Sequence, residues 1–318
     1  MGVTLLDGGV ATQLANHVDI TDVEKDDPLW CARFLVTNKE AIKNSHRDYV
    51  RAGSNIIETC TYQASIPGFM KYLNLNLEES VQLIQEAVTL ARQAIKEERQ
   101  INPTIGNGKY HTALSQNISN YPLLMSFIVA GSCGSYGAYL HDGSEYRGDF
   151  MGKVSLDTIV SYHEQKLKAL VDAGVDLIAF ETIPTQAEAE ALAELLRKFP
   201  NIKAWISFSV KDESHLSSGD DFVTAANSVW LNCVNPNFVT PLISPIVEKI
   251  PTIVYPNNGE LWDDVNHKIE LCVKPLTDYV SEWLELGVQY IGGCCRTSAT
   301  DITDFKQLID ARTRGPNQ

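Results

Sequence analysis

Cys233 closes the run "WLNC", and Cys294 and Cys295 stand side by side behind Gly292 and Gly293 in "IGGCC". Three thiolates make a soft donor set that suits Zn2+, with Zn–S distances of about 2.3 Å. A tetrahedral ion held by three protein sulfurs keeps a fourth position open, as catalytic zinc does, whereas structural sites are usually closed by four protein ligands. The spacing is not the local C-x-x-C of a zinc finger. From spacing alone, each cysteine reads equally well as a small buried hydrophobe, and the adjacent pair also admits a strained vicinal disulfide. Neighbouring residues of a regular strand point to opposite faces, so Cys294 and Cys295 can both turn inward only where the chain bends. Gly292 and Gly293 permit a bend, because glycine reaches backbone angles closed to other residues.

For Cys233 to meet the pair, distant segments must end at one place. A recurring phrase supplies the means. "RAGSNIIETC" (51–60), "DAGVDLIAFET" (172–182) and "ELGVQYIGGCC" (285–295) each carry a helix end, a glycine and a short apolar strand finishing in polar residues. Gly53, Gly174 and Gly287 fit the left-handed position that ends a helix. Reading the rest in the same way gives strands near 3–7, 54–60, 127–133, 175–181, 203–209, 228–233, 252–256 and 288–293. They are nearly continuous apolar runs, as in a parallel sheet covered by helices. Between them lie helical stripes: Leu77, Val81, Ile84, Val88, Ala91 and Ile95; Leu276, Tyr279, Val280, Trp283 and Leu284; Ile302, Phe305, Leu308 and Ile309. Eight alternating pairs predict an α/β fold of the (β/α)8 TIM-barrel type, a single domain over residues 1–318. A doubly wound open sheet ranks second, and no G-x-G-x-x-G follows the first strand to support its dinucleotide-binding form.

In such a barrel the chemistry gathers at the carboxyl ends of the strands. Asp7, Glu58, Cys60, Cys133, Glu181, Cys233, Asn257, Cys294 and Cys295 all stand there. Two segments break the rhythm. A polar insertion near 100–126 precedes the third strand, and the stretch 136–153, which follows that strand, should lie over the active-site face. Cys31 and Cys272 read as structural, and Cys60 and Cys133 equally as packing residues. No lysine stands at an expected strand end, which disfavours a Schiff-base lyase or aldolase.

The bulk numbers narrow the partners. With 318 residues and 44% apolar content, the chain can bury a large core. Net charge is −14, from 26 basic and 40 acidic residues, and no basic run stands out. Nucleic acid and anionic membrane surfaces are therefore poor partners. No apolar stretch is long enough to span a bilayer and the start does not read as a signal peptide. Seven cysteines, an odd count, suggest a reducing compartment rather than a disulfide framework, so a cytoplasmic protein is expected.

"DGGVATQL" (7–14), "AGSNIIETCTYQAS" (52–65), "AGSCGSYGAYL" (130–140), "DLIAFETIP" (176–184), "LNC" (231–233), "YPNNGELWD" (255–263) and "GGCCRT" (292–297) resemble the homocysteine S-methyltransferase family, in order and over nearly the whole chain. They are most similar to its cobalamin-independent members that use S-methylmethionine or S-adenosylmethionine. The resemblance implies a barrel, one zinc ion and transfer of a methyl group to the thiol of homocysteine, giving methionine. It implies Cys233, Cys294 and Cys295 as zinc ligands, and Asp7, the Gly8–Gly9 turn and Glu181 as amino-acid-binding positions. The segment 100–126 looks longer than in bacterial relatives, and the tetramer-building extension of the betaine-using branch is not seen, so a monomer or small homo-oligomer is expected.

On that reading the substrate ammonium suits Asp7 and Glu181, and its carboxylate suits N–H groups near Gly8 and Gly9. Glu58 is placed with a donor amine, and Tyr62, Tyr136 and Trp262 offer ring faces to a donor cation. The plainer roles are a helix N-cap for Asp7, an ion pair with a loop arginine for Glu181, ordinary packing for each aromatic, and a brace of the cysteine loop for Arg296. No histidine is assigned to metal. A selenol acceptor, selenocysteine or selenohomocysteine, and a catalytically inactive zinc-binding barrel are the alternatives.

Overall fold

Each apolar run behind a helix-ending glycine becomes a parallel strand in the computed structural model. The structure describes residues 2–19, 27–106, 127–225, 230–248, 251–259, 261–263, 268–270 and 274–314. The strands are β1 Thr4–Leu5, β2 Ile56–Glu58, β3 Ile128–Gly134, β4 Leu177–Ile183, β5 Lys203–Phe208, β6 Trp230–Asn232, β7 Ile253–Tyr255 and β8 Tyr290–Ile291. Helices α1 Lys39–Ala52, α2 Leu77–Ile101, α3 Leu156–Asp172, α4 Gln186–Leu196, α5 Phe222–Ala225, α6 Pro236–Ile243, α7 Leu276–Leu286 and α8 Ala299–Arg314 follow them in alternation. Neighbours pair in parallel from β2 through to β8 and on to β1. A parallel bridge between Leu6 and Ile56 closes the ring. This is the expected (β/α)8 barrel.

The left-handed glycines take the predicted places: φ is 104° at Gly53, 82° at Gly174 and 93° at Gly287. Alternation divides the apolar residues into two layers. Leu6, Ile56, Ala130, Leu177, Ala179, Trp205, Ile253, Tyr255 and Tyr290 fill the barrel interior. Their neighbours Leu5, Ile57, Val129, Ile178, Phe180, Leu231, Val254 and Ile291 join the layer beneath the helices. Two of the polar groups inside the barrel pair with Tyr255: its hydroxyl accepts from Trp205 Nε1 at 2.9 Å and lies 2.6 Å from Ser207 Oγ.

The helical stripes pack as read, with one exception. Ile84, Val88, Ala91 and Ile95 are buried, but Leu77 is 57% exposed. It begins α2 directly after Asn76, which caps the helix in a reciprocal pair with Glu79. Capping, rather than apolar burial, sets this end. A two-stranded antiparallel ribbon, Leu261–Asp263 with Lys268–Glu270, lies between β7 and α7 and was not expected from the sequence. Most of the polar insertion near 100–126, from residue 107 onward, and Cys272 fall outside the described residues. Among the described residues, no helix is long and apolar enough to cross a membrane.

Candidate metal and substrate site

The order β6–β7–β8 places the ends of β6 and β8 on either side of β7. Cys233 N donates to Tyr255 O at 3.2 Å and Cys294 N to Pro256 O at 2.8 Å, so both segments are tied to the β7 end. The Sγ atoms of Cys233, Cys294 and Cys295 all lie within 4.8 Å of one another. Cys233 Sγ and Cys295 Sγ are 3.2 Å apart. Tetrahedral zinc with three Zn–S bonds spaces its sulfurs by about 3.8 Å. The trio therefore fits one metal ion, by donor chemistry and by spread.

A bend does bring both thiols to Cys233, with Cys295 left exposed, but its cause differs from the expected one. Neither Gly292 nor Gly293 takes a positive φ; the left-handed residues are Cys233 (φ 52°) and Arg296 (φ 63°). The glycines are required by crowding instead. A Cβ on Gly292 would lie 2.6 Å from Leu6 Cβ, and one on Gly293 would lie 2.1 Å from Thr297 Oγ1. Thr297 fastens the turn by donating its N–H and its Oγ1 hydroxyl to Cys294 O, at 3.1 and 2.6 Å. Gly9 N donates to Thr297 O at 3.0 Å, and the Tyr49 hydroxyl donates to Gly9 O at 3.0 Å. Arg296 N donates to Thr12 Oγ1 at 2.9 Å, which is a brace of the loop. Gly293→Ala should therefore displace Thr297 and open the trio. Bound metal per chain, measured after equal metal loading, should fall well below the wild-type value while circular dichroism keeps the barrel's helical signal.

The thiols share charge unequally. Hydrogen bonds to Cys233 and Cys295, with burial, push the Cys294 thiol up. Hydrogen bonds from Cys233 and Cys294 hold Cys295 well below the ordinary thiol range. One negative charge is thus already favoured at the trio. The stretch 136–153 reaches this place as expected: Tyr146 brings its hydroxyl to 3.5 Å from Cys233 Sγ.

Across the rim, Asp7, Glu58 and Glu181 converge from β1, β2 and β4. Asp7 is 2% exposed and Glu181 4%. Asp7 caps no helix; the N-cap of Val10–Leu14 is Gly9, while Asp7 Oδ2 accepts from Glu58 N at 2.9 Å. Glu58 Oε1 and Glu181 Oε1 are buried and, among the described residues, without a hydrogen-bond partner. Burial raises all three carboxyls, and repulsion from neighbouring acids adds to it at Asp7 and Glu58. Glu181 is pushed up to about 7. Among the described residues no arginine pairs with Glu181; the cation acting on it is Lys166. The β4 end is shaped by a register shift between Phe180 and Ile183 and by a left-handed Thr182 (φ 56°). Asn232 holds that turn, accepting from Thr182 N at 2.9 Å and donating to Thr182 Oγ1 at 3.0 Å.

The remaining expectations divide. Gly9 N–H is engaged by Thr297, which leaves Gly8 N–H as the amide of that turn with no partner among the described residues. Tyr62 packs its ring on Gly134, whose Cβ would lie 2.8 Å from Tyr62 Cε2. Tyr136 is buried among Tyr139, Phe150 and Tyr162, the packing role. Cys60 and Cys133 are buried in the core, and Cys60 Sγ donates to Cys31 O at 3.6 Å. The side chain of Trp262 lies outside the described residues. Tyr146, Thr297 and Lys166 were missed. The first two lie inside stretches already singled out, whereas Lys166 arrives from a helix and leaves no strand-end signal.

Fold and rim together define a barrel enzyme whose reactive groups are a thiol trio able to hold a metal ion and a set of buried carboxyls. The chain belongs to the homocysteine S-methyltransferase family, whose profile matches residues 4–309. It is accordingly a methyltransferase acting on homocysteine. It is 41% identical to a betaine-homocysteine S-methyltransferase of Drosophila melanogaster, over 95% of this chain and 93% of that one. It is 38% identical to the homocysteine S-methyltransferase of Escherichia coli strain K12, over 96% and 94%. The metallated crystal form of the homocysteine methyltransferase MmuM from Escherichia coli superposes with a TM-score of 0.78 at 35% identity, covering 96% of each chain.

Proposed function

We propose that this enzyme is zinc-dependent and moves a methyl group from a sulfonium donor, S-methylmethionine or S-adenosylmethionine, to homocysteine, as a cytoplasmic monomer or small homo-oligomer. The observation that carries the reading is the thiol trio on the same rim as Glu58 and Glu181, each with a buried Oε1 that has no hydrogen-bond partner among the described residues. Cys233, Cys294 and Cys295 would hold the ion. When bound, zinc supplies a position that keeps a substrate thiol deprotonated at neutral pH. Asp7 and Glu181 receive the substrate ammonium, and Gly8 N–H its carboxylate. Burial makes each of these contacts stronger than it would be in water. The homocysteine sulfur attacks the donor's methyl carbon in line; the S–CH3 bond of the sulfonium breaks with its electron pair, leaving a neutral thioether. A sulfonium is already a good leaving group, so no general acid is required. Positioning supplies much of the rate.

The relative named for betaine raises a second donor, and Glu58 bears on the choice. A third buried carboxyl favours a donor with an N–H-bearing ammonium besides its reacting onium centre, which S-methylmethionine has and betaine, whose one cation is the reacting quaternary ammonium, lacks. Methionine formation with each donor at equal concentration, alongside zinc content by elemental analysis, should give a rate with S-methylmethionine at least tenfold above that with betaine. A preference for betaine would refute the donor assignment, and full activity in metal-free protein would refute the zinc.

A further inference from the structure

Helix α3 sends two titratable side chains into the wall behind the site, one turn apart on the same face. His163 is fully buried, and its Nε2 lies 2.9 Å from Glu188 Oε1, which also accepts from Tyr136 N at 2.8 Å. Lys166 is 1% exposed, and its Nζ donates to Tyr62 O at 2.9 Å. The same carbonyl accepts from Gly134 N at 3.2 Å. Lys166 forms no ion pair among the described residues, and the groups facing it are Cys133 and Glu181. A lone buried ammonium is costly, and burial depresses its affinity for protons. An apolar side chain would fill this space at less cost, so the charge itself calls for an explanation.

We propose that Lys166 is a positioning residue for the amino-acid half of the site: its ammonium pins the Tyr62 carbonyl at the rim and sets a positive charge behind Glu181. The inference rests on the reading of Glu181 as a seat for the substrate ammonium. Three acids side by side resist ionising together. Glu181 faces Asp7 from β1, Glu58 from β2, Ser132 and Cys133 from β3, Tyr62 after β2, Cys233 after β6 and Tyr255 from β7; hydrogen bonds with Ser132 and Glu58 favour its carboxylate, and among these groups Lys166 is the cation that does so by charge. With Lys166 in place, the pocket presents an anion to the incoming ammonium while the Tyr62 backbone stays fixed beside it.

The test is the pH dependence of KM for homocysteine in the zinc-loaded enzyme. Wild type should lose affinity as pH falls through the range in which Glu181 takes up its proton. Lys166→Gln can still donate to Tyr62 O but carries no charge; its midpoint should move up by about one pH unit, with KM near pH 7 raised roughly fivefold and kcat changed far less. Lys166→Arg keeps the charge and should keep the wild-type midpoint. Lys166→Met, close in shape and apolar, carries the same expectation as the glutamine variant if the latter fails to fold. A purely structural role would lower melting temperature in all three without moving the midpoint, and that result overturns the proposal. Glu181→Gln is the control. An unaltered KM profile in that variant overturns the assignment of Glu181 to the substrate. A lost acid limb there, with an unmoved limb in Lys166→Gln, overturns the role of Lys166 alone.

Discussion

Cys294→Ala is expected to remove both bound zinc and methionine formation, with activity down by a factor on the order of 10³ or more, since a metal site supplies several kcal/mol of stabilisation to its reaction. Two remaining thiols, Cys233 and Cys295, would leave a donor set too small to hold the ion in competition with water and buffer. The barrel should survive. Its two apolar layers close without the rim, and the cysteine turn hangs on backbone bonds that do not use the sulfur: Cys294 N donates to Pro256 O, Thr297 N to Cys294 O and Gly9 N to Thr297 O. Circular dichroism and melting temperature should therefore stay near wild type while elemental analysis finds less than a tenth of the zinc. Cys233→Ala and Cys295→Ala should behave alike, because one ion needs all three. Turnover that persists in a zinc-free variant would end the mechanism.

The places where the sequence spoke clearly are those where local physics decides. A left-handed glycine after an amphipathic stripe has few alternatives, so Gly53, Gly174 and Gly287 located three strands and hence the rim. The convergence of Cys233 with Cys294 and Cys295 followed from strand order. What escaped was decided by contacts between distant segments. Gly292 and Gly293 read as hinges, yet they are there because Leu6, Asp7 and Thr297 leave no room for a Cβ. A crowding constraint of this kind names its partners only after folding. The exposed Leu77 shows the reverse, where a stripe of apolar spacing runs on to the first residue of a helix whose start is set by its cap. Of the tyrosines in the stretch 136–153 the sequence singles out Tyr136, yet packing against Tyr162 takes that residue and it is Tyr146 that reaches the thiol. Lys166 sits in a helical pattern in which a lysine ordinarily faces water, and nothing in the spacing marks it as buried.

Glu181→Gln should raise KM for homocysteine roughly 10- to 100-fold, the range for losing a charge-assisted hydrogen bond, with kcat reduced less. The acid limb of the KM profile, centred near the Glu181 value of about 7, should vanish with it. Stability should move the other way. Glu181 takes up its proton far above the ordinary carboxyl value of about 4.3, so between that value and about 7 the folded protein holds a proton that the unfolded chain has released. Stability then falls as pH rises through this window. Below it the neutral acid is tolerated; above it the fold carries a buried carboxylate crowded by Asp7 and Glu58. The glutamine amide does not ionise. Compared with wild type without substrate, Glu181→Gln should melt higher at pH 8 and show no such advantage at pH 5. Homocysteine should close the gap by raising the wild-type melting temperature more at pH 8 than at pH 6, since its ammonium binds the charged form. A variant that melts lower than wild type at both pH values would mean that Glu181 serves packing rather than substrate. The expected pattern is that of a site held at a cost in stability which its ligand offsets.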